Sequence, residues 1–516
     1  MARYKESDYT QGKFIPIHFD KQIFPGTFEY TLHYLIDNEL DLSVFDARYK
    51  NDETGAPAYD PAILLKIILF AYSRGITSSR DIAQCCEENV IFMALSADTR
   101  PHFTTIADFI SSTDQEIIRL FLEVLLVCDE MGLIGKEMFA IDGLKMPSNA
   151  SKEWSGTTED FKKKKAKMEK AVRQIMKRHR EVDEREASKE MVEQEKRYVE
   201  TLREKVKKIK DWLKDNEDKP GRSGKPLKSN ITDNDSAKMK TSHGVIQGYD
   251  GVAAVDGKHQ VIVHGEAFGE AQEQGLLEPM IEGARANFEA IGHRKDVFER
   301  AKVVADSGFH TEANMRMVME EGIDAYIADT LFRKRDPRFA DADRYKERFR
   351  KDREQYYGIQ VRYGVGEFIM AADKSHCICP AGKRLYRNGG NVVVKGFRAV
   401  KFRGRKTDCR VCHVREKCLR YPDTSEARQV YFFENRSQEA PETFTQRMKR
   451  KIDSAHGRQI YNKRIGTAEP VFANIRSALG LNRFTLRGKR KVNTQWLLYC
   501  TVHNLLKVHR YGPGFA

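Results

Sequence analysis

The sequence predicts an α/β protein with an N-terminal helical domain, a helical-hairpin insertion and a small cysteine-rich insertion. Short apolar runs at 138–141, 302–305 and 325–328 are typical of buried strands, and a helical pattern separates the second run from the third. The stretch 158–216 is dense in Lys, Glu and Arg, lacks glycine and proline, and interrupts this alternation. Five of the nine cysteines lie within 377–418, which predicts a second interruption.

The length of 516 residues predicts several domains, and the net charge of +14 favours a polyanionic partner, chiefly nucleic acid or an anionic membrane surface. A charge that merely keeps the protein soluble is the alternative. The stretch MARYKESDYTQGKF lacks the apolar core of a signal peptide. The longest apolar run, AILLKIILFAY, contains Lys66 and is too short to span a bilayer. We therefore expect a cytoplasmic protein without a membrane segment.

The first predicted domain, residues 1–130, is helical. One helix begins at Asp60-Pro61 and ends at Gly75, because proline suits the first turn of a helix and glycine commonly follows its end. In RPHFTTIADF, one of the two threonines is the expected N-cap of another helix. Short helices with tight turns suit a DNA-binding helix-turn-helix unit and ordinary helical packing equally well.

The predicted helical insertion occupies 158–228. Apolar residues recur at steps of three and four in one series that begins at Met168 and in another that begins at Val199. The register breaks between the two series, so two helices folded into a hairpin fit better than one rod. Proline and glycine in DKPGRSGKPLKSN end this arm. Its charge indicates a solvated surface or a contact with DNA or a protein partner.

The predicted core begins with a first strand within 131–157 and continues through 229–335. The string GVIQGYDGVAAVDGKHQVIVHGEAF contains two or three β-rich runs, and a helix follows near 273–289. The string AKVVADSGFHTEANMRMVMEEGIDAYIAD is then typical of a strand, a helix and a second strand. This succession predicts an α/β core.

Two aspartates follow predicted strands of this core. Asp142 comes directly after Met138–Ile141, and Asp306 comes directly after Lys302–Ala305. A sheet can bring two such residues side by side, where like charges repel and a divalent cation relieves the repulsion. Two Mg²⁺ ions about 3.5–4 Å apart can activate the attacking oxygen and stabilise the leaving oxygen of a phosphoryl transfer, provided that a third carboxylate is present. The alternative for each aspartate is an ordinary hydrogen-bonded strand end.

The segment YNKRIGTAEPVFANIRSALGLNRFTLRGKRKV resembles a signature of bacterial insertion-sequence transposases of the Asp-Asp-Glu class, which runs Tyr, two residues, Arg, three residues, Glu, six residues, Lys. Tyr461 and Arg464 match its spacing, Glu469 follows after four residues instead of three, and Arg476 stands where the lysine would. The strings AIDGLKMPSNAS, MKTSHGVIQGYDGVAAVD and VADSGFHTEAN resemble the family's first-aspartate strand, the hairpin after it and the second-aspartate strand. YDPAILLKIILFAY and RPHFTTIADF resemble its N-terminal helical domain.

The resemblance implies a ribonuclease-H-like catalytic core in which Asp142, Asp306 and Glu469 hold Mg²⁺ or Mn²⁺. Such a protein is a transposase that binds the terminal inverted repeats of its element, cleaves the DNA there and transfers the strands to a target. A non-catalytic DNA-binding zinc protein and a metal-dependent nuclease without strand joining are the alternatives.

The implied partner is double-stranded DNA, both element ends and target, bound by a homodimer in the bacterial cytoplasm at the nucleoid. Arg464 and Arg476 can form forked contacts with phosphates, and Tyr461 can hydrogen-bond a phosphate or stack on a base. A helix salt bridge and a core tyrosine are the alternative roles of these side chains.

The third acid has several candidates, since the C-terminal part, 431–516, contains several glutamates. The competitors of Glu469 are Glu434, Glu439 and Glu442. Glu469 is preferred because Tyr461 and Arg464 precede it and Arg476 follows it. In addition, TAEPVF is typical of a helix start, with Thr467 as the N-cap and Pro470 in the first turn.

The segment 336–430 is basic and contains the cysteine cluster. Cys409 and Cys412 are two residues apart, Cys418 follows six positions later, and Cys379 precedes a Pro-Ala-Gly turn. Four sulfurs satisfy a tetrahedral structural Zn²⁺, and the family shows a similar pattern here. A set of reduced free thiols is the alternative. If one of these four thiols is not a zinc ligand, the candidates to replace it are His376, Cys377 and His413.

Overall fold

The computed structural model describes residues 16–49, 57–181, 189–221, 224, 226–241, 244–336, 362–389, 392–394, 397–433 and 442–515. The chain divides into two compact units, Met1–Asp329 with Ser454–Ala516 and Thr330–Asp453. Of the residues considered above, Glu434 and Glu439 lie outside the described ranges.

Helices α1 to α6 precede the sheet of the first unit. They span Phe28–Asn38, Pro61–Ser73, Ser79–Glu88, Val90–Leu95, Phe103–Ser112 and Asp114–Glu130. In α2, the Asp60 carboxylate accepts a backbone N–H of the first turn at 2.7 Å, and Gly75 follows the helix with a φ of 74°. Both predicted ends of this helix are confirmed. The predicted threonine cap of α5 is wrong, because the ring Nδ1 of His102 takes that role and accepts the N–H of Thr104.

The strands of the first unit form its central sheet and a short accessory ladder. Strands β1 to β8 span Met138–Pro147, Ser155–Gly156, Ser229–Asn230, Ala237–Thr241, Gly244–Asp256, Ile262–Phe268, Lys302–Ala305 and Asp324–Ile327. The sheet order is β4-β5-β1-β7-β8, with β6 also paired to β5. Strand β5 is antiparallel to β1, β4 and β6, whereas β7 is parallel to both β1 and β8.

The predicted end of the first strand is wrong. Strand β1 continues through Asp142 to Pro147, because its second half pairs with β5 as far as the partners Pro147 and Gly248. An aspartate inside an apolar run therefore marked the middle of a long strand and not its end.

The remaining described helices, α7 to α15, lie after the first strand. They span Thr158–Glu181, Lys189–Asp215, Leu277–Ala290, Glu312–Glu320, Lys406–Arg410, Arg415–Cys418, Phe444–Asp453, Ala455–Ala473 and Lys489–Tyr511. Helix α10 connects the parallel strands β7 and β8, so the predicted succession of strand, helix and strand is confirmed. None of the helices in the described part of the chain is long and apolar enough to cross a membrane.

Helices α7 and α8 pack along each other, and their base has its own small core. The rings of Phe161 and Trp212 meet edge to face at 4.8 Å, and Ile209 is fully buried beside them. The two-residue strands β2 and β3 pair at this base, with Ser155 opposite Asn230. The two ends of the arm are therefore held close together.

Helix α15 lies in the core of the first unit, where it contacts both the N-terminal helices and strand β6. Trp496 is fully buried against Gly251 and Gly265, two positions where a Cβ would crowd its ring, and its Nε1 donates to the Val252 carbonyl at 3.1 Å. On the helical side, Tyr499 stacks on Tyr72 with 4.5 Å between ring centroids. One helix thus joins the two layers.

The second unit contains a six-stranded sheet. Its strands β9 to β14 span Ile369–Met370, His376–Ile378, Arg384–Arg387, Val392–Val394, Phe397–Arg403 and Gln429–Phe433. The order is β12-β13-β11-β10-β9, with β14 also paired to β13. Buried apolar side chains, among them Cys377 and Phe402, form the core on this sheet.

Shortening the arm tests whether the first unit folds without most of it. Arg173 and Arg203 face one another across the groove between α7 and α8, so replacing residues 174–202 by a short Gly-Ser linker keeps the base cluster of Phe161 and Trp212. We expect the unfolding transition of the first unit to stay cooperative, with a melting temperature within about 3 °C of its value in the full chain, because the described helices of the arm pack chiefly on each other. Calorimetry would check this, and a loss or marked broadening of that transition would show that the arm is integral to the core.

Candidate active site

Asp142 and Asp306 are neighbours in the sheet. The parallel register pairs Ile141 with Ala305, so Asp142, the next residue of β1, lies beside Asp306, which directly follows the end of β7. The Asp142 side chain is only 16% exposed. Burial raises its pKa to about 6, against the opposing effect of Arg464, and the charge of Asp306 raises the pKa further. The two predicted aspartates are therefore brought together, at an electrostatic cost.

Asp306 also organises the turn that follows its strand. Its Oδ1 accepts the N–H of Ser307 at 2.5 Å and caps the short 3₁₀ turn Ser307–Phe309. The backbone pairing between β1 and β7 ends one residue earlier, at Ala305. The position of this carboxylate therefore depends on the turn and not on the strand ladder.

Arg464 lies against Asp142. Its Nη1 is 2.5 Å from Asp142 Oδ2, its Nη2 is 3.8 Å from Glu469 Oε1, and its side chain is only 9% exposed. The guanidinium also lies over the ring of Tyr461, 5.9 Å from the centroid. Helix α14, which carries all three residues, packs on β1 and β7. The structure thus places Tyr461, Arg464 and Glu469 beside the aspartates.

The predicted helix start at Glu469 is wrong. Helix α14 begins at Ala455 after the N-cap Ser454, whose hydroxyl accepts a backbone N–H, and Pro470 lies inside the helix. The proline has no N–H for the carbonyl four residues earlier, at Gly466, and the side-chain amide of Gln260 donates to that carbonyl instead, at 2.8 Å. The replacement donor is distant in sequence, so a proline that normally marks a helix start is tolerated in the interior.

Thr467 is correspondingly not an N-cap. Its hydroxyl donates to the Lys463 carbonyl one turn earlier, at 3.0 Å. Glu469 is more than half exposed, at 57%, on the outer side of the helix. Arg476 lies beyond the end of α14 in the π-helical turn Asn474–Ala478 and is exposed.

A second group of charges, which the sequence reasoning missed, lies beside the first. Asp250 on β5 is fully buried opposite Lys145 on β1, and neither of its carboxylate oxygens has a hydrogen-bond partner within the described ranges. The Nζ of Lys145 is 2.6 Å from Glu273 Oε1. Burial raises the pKa of Asp250 to about 8, with the neighbouring charge of Glu273 adding to the effect. This raised pKa favours the protonated, uncharged form of Asp250 at neutral pH.

A sequence signal existed for only one of these acids. Asp250 interrupts the apolar run GYDGVAAVD, which is the same pattern that identified Asp142. Glu273 follows no strand and has no such signal. Gly143, next to Asp142, makes room for the Asp250 carboxylate, since a Cβ there would lie 2.8 Å from its Oδ1.

The acids as placed do not form a complete metal centre. Within the described ranges, no group of three or more His, Cys, Asp or Glu side chains converges closely enough to hold a metal ion. The guanidinium of Arg464 lies between Asp142 and Glu469, and the glutamate carboxylate is turned toward solvent. The oxygen chemistry of the acids suits Mg²⁺ or Mn²⁺, and convergence requires that Glu469 turn inward.

The four predicted zinc ligands line one cavity in the second unit. Cys379, Cys409, Cys412 and Cys418 all border it. The Cys379 Sγ accepts the N–H of Lys383 at 3.3 Å across a turn in which the glycine has a φ of 74°. Burial raises the pKa of the Cys418 thiol to about 11. The four thiols line the same cavity, but within the described ranges they do not converge closely enough to hold a metal ion.

Replacing Asp250 by Asn tests the neutral acid. Between its ordinary pKa of 3.8 and about 8, the folded chain holds a proton that the unfolded chain releases, so stability falls as the pH rises through this range. Asparagine keeps the shape and has no proton to release. We expect Asp250→Asn to match the wild-type melting temperature at pH 5 and to exceed it by about 5 °C at pH 8.

Calorimetry at several pH values gives this comparison. Asp215→Asn, at the exposed end of α8, is the control and should follow the wild-type curve. Parallel curves for Asp250→Asn and the wild type would show that Asp250 is ionised in the folded chain.

Two family models match the chain. A model described as transposase DDE domain matches residues 378–509, and one described as transposase domain (DUF772) matches residues 17–112. The first match includes the cysteine cluster and the segment from Tyr461 to Arg476. No curated protein matches the chain. The two matches confirm the resemblance drawn from the residues and support an insertion-sequence transposase of the Asp-Asp-Glu class.

Proposed function

We propose that the protein binds the terminal inverted repeats of an insertion sequence, cleaves the DNA there with water, and joins the released 3′-hydroxyl to target DNA. A transposase with a DDE domain is a DNA-cutting and transposing enzyme in general. The observation that carries the specific proposal is the register of β1 and β7, which makes Asp142 and Asp306 neighbours. Helix α14 adds Glu469 from the side.

The same proposal assigns the central sheet to a ribonuclease-H-like core. Three antiparallel strands, β6, β5 and β1, are followed across the sheet by two parallel strands, β7 and β8. Asp142 lies in β1, and Asp306 lies directly after β7. Glu469 lies on helix α14, which packs over both strands. In this assignment the α7–α8 arm and the unit Thr330–Asp453 are insertions into the core.

Asp142, Asp306 and Glu469 are the residues that would hold Mg²⁺ or Mn²⁺. When bound, the cations would activate the attacking oxygen and neutralise the charge on the leaving oxygen. The acids are suited to this because Asp142 is held by β1, Asp306 is held by the turn after β7, and only the exposed Glu469 has to move.

The other side chains of α14 orient the reacting groups. Arg464 holds Asp142 in one position through its 2.5 Å contact, and Tyr461 supports the guanidinium. Positioning of this kind contributes much of the rate enhancement in phosphoryl transfer. Arg476 is exposed and would contact the DNA backbone, and the net charge of +14 would attract the duplex.

Two DNA ends must be held together, so a homodimer on DNA is the expected assembly, in the cytoplasm and at the nucleoid. The arm would contact DNA or the second subunit. An assay for joined products separates a transposase from a nuclease with the same acids, because only the former links the 3′-hydroxyl to a target.

Neutral substitutions of the three acids test the catalytic assignment. We expect Asp142→Asn, Asp306→Asn and Glu469→Gln each to lower the rate of Mg²⁺-dependent cleavage at the element ends by about 10³-fold or more, since each removes a charge that neutralises the cations. End binding, measured by mobility shift, should change little. Glu442→Gln is the control. Glu442 pairs with Arg450 in the second unit, so this variant should cleave at the wild-type rate. Near wild-type cleavage by Glu469→Gln would place the third acid elsewhere.

Metal analysis tests the cysteine cavity. We expect about one Zn²⁺ per chain after purification without chelator, bound by the four thiols that line the cavity. Cys412→Ser should lose the zinc and unfold the second unit at a lower temperature, whereas Cys85→Ser on α3 should keep it. Freely titratable thiols in the folded wild type, without zinc, would exclude the site.

A further inference from the structure

We propose that Lys145 and Glu273 act as positioning residues, a brace that fixes the distance between the two catalytic aspartates. This inference rests on the proposed function, since it concerns how Asp142 and Asp306 are held for catalysis. Neither brace residue belongs to the Tyr-Arg-Glu-Lys signature, and Lys145 has no assigned role in the string AIDGLKMPSNAS.

One end of the brace lies on the strand of the first aspartate. Lys145 is three residues after Asp142 on β1, and its Nζ is 2.6 Å from Glu273 Oε1. Both side chains are mostly buried, so solvent screens this ion pair less than it would screen a surface pair. The fully buried Asp250, opposite Lys145, closes the space beside the pair.

The other end of the brace lies on the turn of the second aspartate. The Oε2 of Glu273 is packed against the backbone of Gly308, so closely that a Cβ at this position would overlap it. Gly308 is in the middle of the 3₁₀ turn that Asp306 caps. One carboxylate therefore contacts both the strand of Asp142 and the turn of Asp306.

Asn314 fastens the two turns to each other. Its buried Nδ2 donates to the Gln274 carbonyl at 3.0 Å and to the Phe309 carbonyl at 2.7 Å. These carbonyls belong to the 3₁₀ turns Glu273–Gly275 and Ser307–Phe309. The backbone around Glu273 is thus held in place, and its side chain can act as a rigid spacer.

The brace acts where the sheet no longer does. The last backbone pair between β1 and β7 is Ile141 with Ala305, so strand pairing does not hold Asp306 itself. Without the contact between Glu273 and Gly308, the turn that carries Asp306 is free to shift relative to Asp142. A shift of this kind separates the two carboxylates that the proposed metal site requires.

The test measures divalent-metal binding and cleavage in brace variants of the full chain. We expect Lys145→Met to raise both the Kd for Mn²⁺ without DNA and the Mg²⁺ concentration for half-maximal cleavage about tenfold or more, as is typical when a residue that orients metal ligands is removed. Lys145→Arg keeps the ion pair and should stay within about 1.5-fold of the wild type in both. Binding to the element ends should be unchanged in both variants.

Lys302→Met is the matched control. It removes an ion pair with Asp324 at the opposite end of β7, 3.9 Å between charged atoms, and should leave both metal measurements unchanged. Wild-type Mn²⁺ affinity and Mg²⁺ requirement in Lys145→Met would overturn the brace. If Lys145→Met does not fold, the isosteric Glu273→Gln replaces it. We expect this variant to raise the Kd for Mn²⁺ and the Mg²⁺ requirement about threefold. Wild-type values of both would equally overturn the brace. A wild-type protein that neither binds Mn²⁺ nor cleaves would instead reject the proposed function.

Discussion

The concentration of negative charge at the middle of β1 is the constraint on which the rest of the first unit depends. Carboxylates can be buried together only if cations or protons compensate them. Asp142 is compensated by Arg464, which lies 322 residues later in the chain, and Glu273 is compensated by Lys145 from the same strand as Asp142. Asp250 is compensated by a proton, as its raised pKa indicates. The first two solutions each require a distant segment, the helix of Arg464 or the turn of Glu273, to fold against the sheet.

The signal that singled out the two aspartates in the sequence is local, and their role as metal ligands stays a prediction. An apolar run that meets an aspartate identified Asp142 and Asp306, and the parallel register of their strands makes them neighbours. The helix of Glu469 was assigned the wrong start because the compensation for Pro470 is not local. The amide that replaces the missing N–H comes from Gln260, more than 200 residues earlier, and no periodicity in the segment itself reveals it.

The acids that sequence reasoning missed show the limit of motif spacing. Asp250 carried the same signal as Asp142, a carboxylate within an apolar run, but the run was interpreted only as a hairpin strand. Glu273 could not be found from local pattern, since its role depends on Gly308, to which only the fold brings it close. The four cysteines of the predicted zinc site line one cavity. The distances between their sulfurs depend on side-chain packing, which the spacing of cysteines in the sequence does not determine.

The burial of helix α15 has a consequence for the synthesis of the chain. This helix, Lys489–Tyr511, supplies Trp496 to the sheet and Tyr499 to the N-terminal helices, so neither layer has its full apolar partner until α15 has been synthesised. The second unit, Thr330–Asp453, contains its own core and is synthesised before α15. The first unit therefore cannot complete its core before the second unit has been made, and its sheet and N-terminal helices lack part of their apolar partner until then.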